Sequence, residues 1–125
     1  MSARPRVLVV DDEPDYLRIA ARIAAGAGCS AATAATALEG LAMAEKEPPA
    51  LILLDVGLPD LSGFEAARRL RRVPSLARVP IIFFTVRSEL DMVKKGLGLG
   101  AAGYVLKPFD PDELLRRIKA AVFPA

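Results

Sequence analysis

Three apolar tetrads in this chain, Val7-Leu8-Val9-Val10, Leu51-Ile52-Leu53-Leu54 and Ile81-Ile82-Phe83-Phe84, run directly into polar residues: Asp11-Asp12, Asp55 and Thr85. A fourth, weaker run, Tyr104-Val105-Leu106, ends at Lys107-Pro108. Short strands that are apolar on both faces belong in a parallel sheet covered by helices on each side. Open sheets of that kind gather their chemistry outside the carboxyl ends of the strands. The pattern therefore confines the chain to an α/β fold in which three carboxylates, a hydroxyl and an ammonium converge.

Strands are expected at about 6–11, 29–34, 50–55, 80–85 and 103–107, with helix-like stretches between them, the signature of crossover-linked parallel strands. The second strand rests on its place in the alternation, because Ala31, Ala32, Ala34 and Ala35 have little strand preference. Helix starts are marked by Pro14 and by Thr36 with Glu39, Ser62 with Glu65 and Asp110 with Glu113, each pair at capping-box spacing; Ser88 with Asp91 is a looser version. After Pro14, Tyr16, Ile19, Ala20, Ile23 and Ala24 fall on one helical face. Arg68, Arg69, Arg71 and Arg72 are expected to coat the solvent side and C-terminus of the third helix. Gly98-Leu99-Gly100-Ala101-Ala102-Gly103 matches a dinucleotide-binding string, but it precedes a strand where that fingerprint should follow one, so it reads as a helix end and turn.

Composition removes several function classes. With no histidine and a single cysteine, Cys29, the common zinc sites and an internal disulfide are excluded, and Cys29 reads as a small buried apolar residue. No apolar stretch approaches the roughly 18 residues of a membrane span, so a cytoplasmic protein without membrane contact is expected. The 17 basic and 15 acidic residues are interspersed, which gives no basic stripe for nucleic acid. All 125 residues are expected to form one domain, with 123–125 as the start of a linker.

Three crowded carboxylates repel one another and at neutral pH either raise each other's pKa or recruit a cation; all-oxygen ligation suits Mg²⁺. A carboxylate nucleophile, a metal, a lysine and a hydroxyl suffice for phosphoryl transfer. In that chemistry Asp55 attacks the phosphoryl donor, Lys107 supplies a compact positive charge and Thr85 donates a hydrogen bond to a phosphoryl oxygen.

Val9-Val10-Asp11-Asp12-Glu13, Asp55-Val56-Gly57-Leu58-Pro59-Asp60 with Ser62-Gly63, and Lys107-Pro108-Phe109 together resemble the receiver domain of two-component response regulators, over essentially the whole chain. The resemblance implies a doubly wound five-stranded parallel sheet of the flavodoxin-like, chemotaxis-regulator kind. It implies Asp55 as phosphoacceptor, assisted by Thr85 and Lys107. Asp12 becomes the main carboxylate ligand to Mg²⁺ beside Asp55, with Asp11 acting largely through water and the main-chain carbonyl of Gly57 completing the protein's share. Thr85 and Tyr104 match the family's switch pair, and the Lys107–Pro108 bond is expected to be cis. The implied partners are a sensor histidine kinase or histidine phosphotransfer protein upstream and an effector protein or domain downstream. The role is signalling, with self-phosphorylation and self-dephosphorylation chemistry only.

Some positions depart from the family pattern. Val86 stands where a small residue is usual and is expected to narrow access to Asp55. Gly57 and Arg87 occupy positions that tune hydrolysis of the acyl phosphate. Ala102 and Gly103 replace acidic residues that bridge subunits in many members, which weakens dimerisation without excluding a weak or phosphorylation-dependent dimer. Two other readings stand beside this one: a receiver-like interaction module that is never phosphorylated, and a Mg²⁺-dependent phosphatase, which commonly has a second acid where Gly57 lies.

Overall fold

The computed structural model describes residues 4–89, 91, 94 and 101–124, with the side chain of Arg87 left out. Five parallel strands, β1 (Arg6–Val10), β2 (Ser30–Ala34), β3 (Leu51–Asp55), β4 (Ile81–Val86) and β5 (Gly103–Lys107), form one sheet in the order β2-β1-β3-β4-β5. The order reverses at β1, whose neighbours are β2 on one side and β3 on the other, so a crevice opens at the carboxyl ends of β1 and β3.

Strand alternation sorts the core into two layers. Val7, Val9, Leu51, Leu53, Ile82, Phe84 and Val105 pack against α1 (Pro14–Gly26) and α4 (Pro111–Val122) through Ala20, Ala24, Leu114 and Ile118. Leu8, Val10, Ile52, Leu54, Ile81 and Phe83 pack against α2 (Ala37–Lys46) and α3 (Gly63–Arg72) through Ala37, Ala44, Ala67 and Leu70. Every residue of β3 is buried, as a central strand requires. The alanine-rich β2 does form, as an edge strand exposed at Ser30, Ala31 and Thr33; its small side chains suffice there because one flank has no neighbour to pack.

Most helix starts follow the expected chemistry. Pro14 opens α1, and the Thr36 and Ser62 hydroxyls accept from the Glu39 and Glu65 amides. Asp110 caps α4 differently from the expected box: it accepts from the Asp112 amide at 2.9 Å, and Glu113 faces Arg117. Ser88 lies inside a single 3₁₀ turn, Arg87–Glu89; Asp91 and Lys94 are helical, and the remaining residues of the helix expected after Ser88, with Gly98 and Gly100, lie outside the described residues. Gly103 opens β5, as a turn-then-strand reading requires.

Two packing expectations need correction. Ile19 is 43% exposed, and Leu17 packs on the core in its stead, because the buried stripe of α1 is centred on Ala20 and Ala24. Arg71 does not coat the surface: its guanidinium donates to the Leu76 and Val79 carbonyls at 3.0 and 2.8 Å and ties α3 to the turn before β4. Arg68 and Arg69 do stay outside, each facing Glu65. Cys29 is buried, and burial pushes its thiol pKa up.

At Gly63, the first residue of α3, an added Cβ would lie 2.5 Å from the Asp55 carbonyl oxygen and 2.9 Å from the Val56 Cα. Those are buried backbone atoms of the last residue of β3 and the residue after it, and they cannot step aside. Gly63→Ala is therefore expected to destabilise the fold by about 1–3 kcal/mol, the range for overpacking, despite the better helix propensity of alanine. Urea denaturation at neutral pH measures the loss.

Candidate phosphoacceptor and metal site

The two-residue period decides which strand-end groups meet. Asp11 continues the Val7, Val9 series, Asp55 the Leu51, Leu53 series, and Lys107 follows Val105, so all three side chains emerge on the α1/α4 side of the sheet. Lys107 Nζ lies 2.7 Å from Asp11 Oδ2, 3.3 Å from Asp55 Oδ1 and 3.3 Å from Glu13 Oε1. Carboxylate oxygens of Asp11, Asp12 and Asp55 lie within 4.8 Å of one another. Asp11 is fully buried and Asp12 is exposed at the mouth, so the cluster has a dry floor and a wet entrance.

Local backbone contacts fix these groups. The Asp11 amide donates to the Ala34 carbonyl, and the Glu13 amide donates to Asp11 Oδ1 at 2.9 Å. The loop after Asp55 is held at both ends, with Val56 N–H donating to Phe84 and Gly63 N–H donating to Val56. Asp60, midway, accepts from the amides of Ala37 and Leu38 at 2.9 Å each and so caps α2 from a different element. Desolvation alone would raise its carboxyl, but the amides of Leu38, Ala37, Asp60 itself and Leu61 together outweigh it and hold the carboxyl below the usual range.

Burial, then the charge of Asp11, raises the Asp55 carboxyl to about 6, against the lowering effect of Lys107 and the Gly57 amide. Burial likewise raises Asp11 despite its contacts with Lys107 and the Glu13 amide. Burial alone would lower the Lys107 ammonium, but Asp11, Asp55 and Glu13 outweigh it and the net shift is upward. Oδ2 of Asp11 makes no aligned hydrogen bond among the described residues; the ammonium at 2.7 Å is its charged partner. Buried hard oxygens, a carboxylate open to water and no imidazole or thiolate ligand make a donor set suited to a hard divalent cation.

The remaining expected site residues are placed as follows. Gly57 reaches Asp55 through its amide N–H. Thr85 is buried, and its hydroxyl donates to the Val86 carbonyl at 3.1 Å. It follows Ile81 and Phe83 on the α2/α3 side, where Tyr104 packs half-buried, directly across from Phe83 in the β4–β5 register. Thr85 and Tyr104 therefore share a face, opposite to that of Asp55 and Lys107. Val86 pairs with Lys107 across the sheet and is 42% exposed, at the rim of the site. The Lys107–Pro108 peptide is cis.

Two contacts were absent from the sequence reading. Glu13, in the sequence one residue of the acidic motif, is a third acid on Lys107. Tyr16, assigned to the core face of α1, has its ring centroid 4.3 Å from Lys107 Nζ. The available signal was position: α1 begins just after the acidic pair, so its first turn has to overhang the strand ends.

The chain matches the response regulator receiver domain family over residues 7–119 and belongs to it. It is 34% identical to the DNA-binding dual master transcriptional regulator RpaA of Synechocystis over 93% of this chain and 48% of that protein. It is 39% identical to the transcriptional regulatory protein KdpE of Mycobacterium tuberculosis over 93% of this chain and 50% of that one. The chain thus spans about half the length of these curated relatives. The solved structure of the chemotaxis response regulator CheY4 of Vibrio cholerae superposes with a TM-score of 0.88 at 30% identity, covering 95% of this chain and 99% of that one. The flavodoxin-like receiver fold is thereby established, and the chain is a signalling domain of two-component systems. No described helix is long and apolar enough to cross a membrane.

The raised Asp55 pKa has a stability consequence. A carboxyl near 6 in the folded state, against about 3.9 unfolded, favours the fold when protonated, and that contribution is lost as pH rises between the two values. Without added metal, Asp55→Asn is therefore expected to be more stable than wild type at pH 7, by about 1–3 kcal/mol. The difference should shrink towards pH 4, as followed by urea denaturation across that range.

Proposed function

We propose that Asp55 accepts a phosphoryl group, with Mg²⁺ bound by Asp11, Asp12, Asp55 and the Gly57 carbonyl, from the phosphohistidine of a sensor kinase or phosphotransfer protein. The observation that carries this reading is the convergence of three carboxylates within 4.8 Å with a buried lysine 3.3 Å from the proposed nucleophile. Helix capping or turn formation gives no reason for groups from β1, β3 and β5 to share one pocket.

Ionised Asp55 attacks phosphorus through a carboxylate oxygen and the phosphorus–nitrogen bond breaks; the departing nitrogen keeps the bonding pair, and the ring leaves as neutral imidazole because its other nitrogen already carries a proton. A carboxyl near 6 is mostly ionised at pH 7 and remains available as the nucleophile. Bound Mg²⁺ supplies positive charge against the phosphoryl oxygens and the surrounding carboxylates. Lys107, already beside Asp55 Oδ1, turns from the carboxylate to a phosphoryl oxygen. The Thr85 hydroxyl exchanges the Val86 carbonyl for another phosphoryl oxygen, and Tyr104 moves into the space beside it. An aspartyl phosphate carrying about −1.5 to −2 replaces a carboxylate of −1, and that gain in charge with its three acceptor oxygens biases the pair between two arrangements and thereby the affinity for an effector. The effector is a protein partner or an output domain of the same polypeptide; the transcriptional roles in the names of RpaA and KdpE favour an output that controls transcription.

Incubation with acetyl phosphate and Mg²⁺, followed by intact-mass spectrometry, tests the reading. Wild type should gain one phosphoryl group, located on Asp55 by peptide mapping, and neither Asp55→Asn nor a chelator-treated sample should gain any. Lys107→Met should slow the gain about 100-fold, the cost of removing one preorganised charge stabiliser. An unmodified wild-type mass, together with no binding of beryllofluoride and Mg²⁺, would leave an interaction module that is never phosphorylated. Release of more than one equivalent of phosphate from a generic ester would favour a phosphatase.

A further inference from the structure

Lys107 reaches the acidic cluster on a flexible four-carbon stem, and two kinds of acid compete for it. Asp11 and Asp55 are buried within the site; Glu13, at 3.3 Å, is exposed and draws the ammonium towards solvent. The Tyr16 ring meets the ammonium at 4.3 Å from its centroid, inside the roughly 6 Å range of a cation–π contact. That ring is itself braced: Phe109 packs on it at 5.6 Å between centroids, and Phe109 in turn stacks on Phe84 of β4 at 5.5 Å. Tyr16 and Phe109, with Glu13, Ile19, Pro108 and Pro111, line an open groove of about 350 Å³. Lys107 does not line it and its side chain is only 3% exposed, so the aromatic pair separates the ammonium from the groove.

We infer that Tyr16 is a positioning residue for Lys107: its ring face, braced by Phe109, holds the ammonium beside Asp55 and keeps it from following Glu13 into solvent. The role needs the π-face and not the hydroxyl, so phenylalanine should replace tyrosine and leucine should not, although leucine fills much of the same space. The consequence for phosphoryl transfer rests on the phosphoacceptor reading; the contact itself does not.

Two measurements on the unphosphorylated and phosphorylating chain test this. In the carbon–proton NMR spectrum, the Lys107 ε-methylene protons, identified by their loss in Lys107→Met, should be shifted upfield by the ring in wild type and Tyr16→Phe. In Tyr16→Leu they should return to the position of an exposed lysine. Phosphorylation by acetyl phosphate should slow about 3- to 30-fold in Tyr16→Leu and less than about twofold in Tyr16→Phe. In the Lys107→Met background, Tyr16→Leu should cause no further slowing. An unchanged Lys107 shift in Tyr16→Leu overturns the inference, as does equal slowing by Tyr16→Leu with and without Lys107, which would mark a merely structural tyrosine. A wild type that takes no phosphoryl group while the shift still collapses in Tyr16→Leu would defeat the phosphoacceptor reading and leave the contact supported.

Discussion

Asp11 and Asp55 are buried side by side, and the ammonium of Lys107 makes that arrangement tolerable. Desolvation pushes both carboxyls towards the neutral form, and each also repels the other, yet a lysine at 2.7 and 3.3 Å offsets enough of this to keep Asp55 near 6. The compensation is incomplete. Three carboxylates, Asp11, Asp55 and Glu13, contact one ammonium and Asp12 stands beside the first two, so the site retains negative charge that a divalent cation would neutralise. A fully neutralised site would be a better-behaved core and would have no use for a metal.

Holding such a site open depends on backbone, because side chains that repel cannot position one another. The Asp55 loop is fixed by the Val56–Phe84 and Gly63–Val56 hydrogen bonds, by the absence of a Cβ at Gly63 and by Asp60 reaching across to the first amides of α2. An acid that caps a neighbouring helix couples the Asp55 loop to α2. Movement of that loop would cost α2 two N-terminal hydrogen bonds and is opposed by that much.

The layout of the sheet was readable because apolar tetrads followed by polar groups admit few other folds, and period-two alternation then sends Asp11, Asp55 and Lys107 to one side. The edge strand β2 was readable only from its place in the sequence of elements, since an edge demands little of its side chains. The contacts missed by the sequence reading are those between an element and the far end of the chain. Tyr16 has the spacing of an α1 core residue, and nothing local reveals that Lys107 lies over its ring. Arg71 has the composition of a solvated basic run, yet the turn after α3 offers two carbonyls that draw it inward. Ile19 fits the helical period but lies one step around the helix from the stripe that Ala20 and Ala24 bury. Periodicity fixes a face to within about one residue, and the depth of burial within that face is set by the neighbours.

If Asp55 is phosphorylated as proposed, the two faces of β4 offer a route from charge to shape. Phe84 and Val86 lie on the side of Asp55 and Lys107, whereas Phe83 and Thr85 lie with Tyr104 on the other. Thr85 directly follows Phe84, the residue in register with Asp55, so it stands at the strand end where the faces are least separated. Its hydroxyl rests on the Val86 carbonyl, a neutral acceptor that a phosphoryl oxygen outcompetes because hydrogen bonds to charged acceptors are roughly twice as strong. Turning towards Asp55 would withdraw the hydroxyl from the Tyr104 side and open volume there, and close-packed interiors do not leave such volume empty. An aromatic ring that is only half-buried on that side, Tyr104, is the group able to fill it, so under the proposed phosphorylation a charge gained on one face of the sheet would become a change of surface on the other.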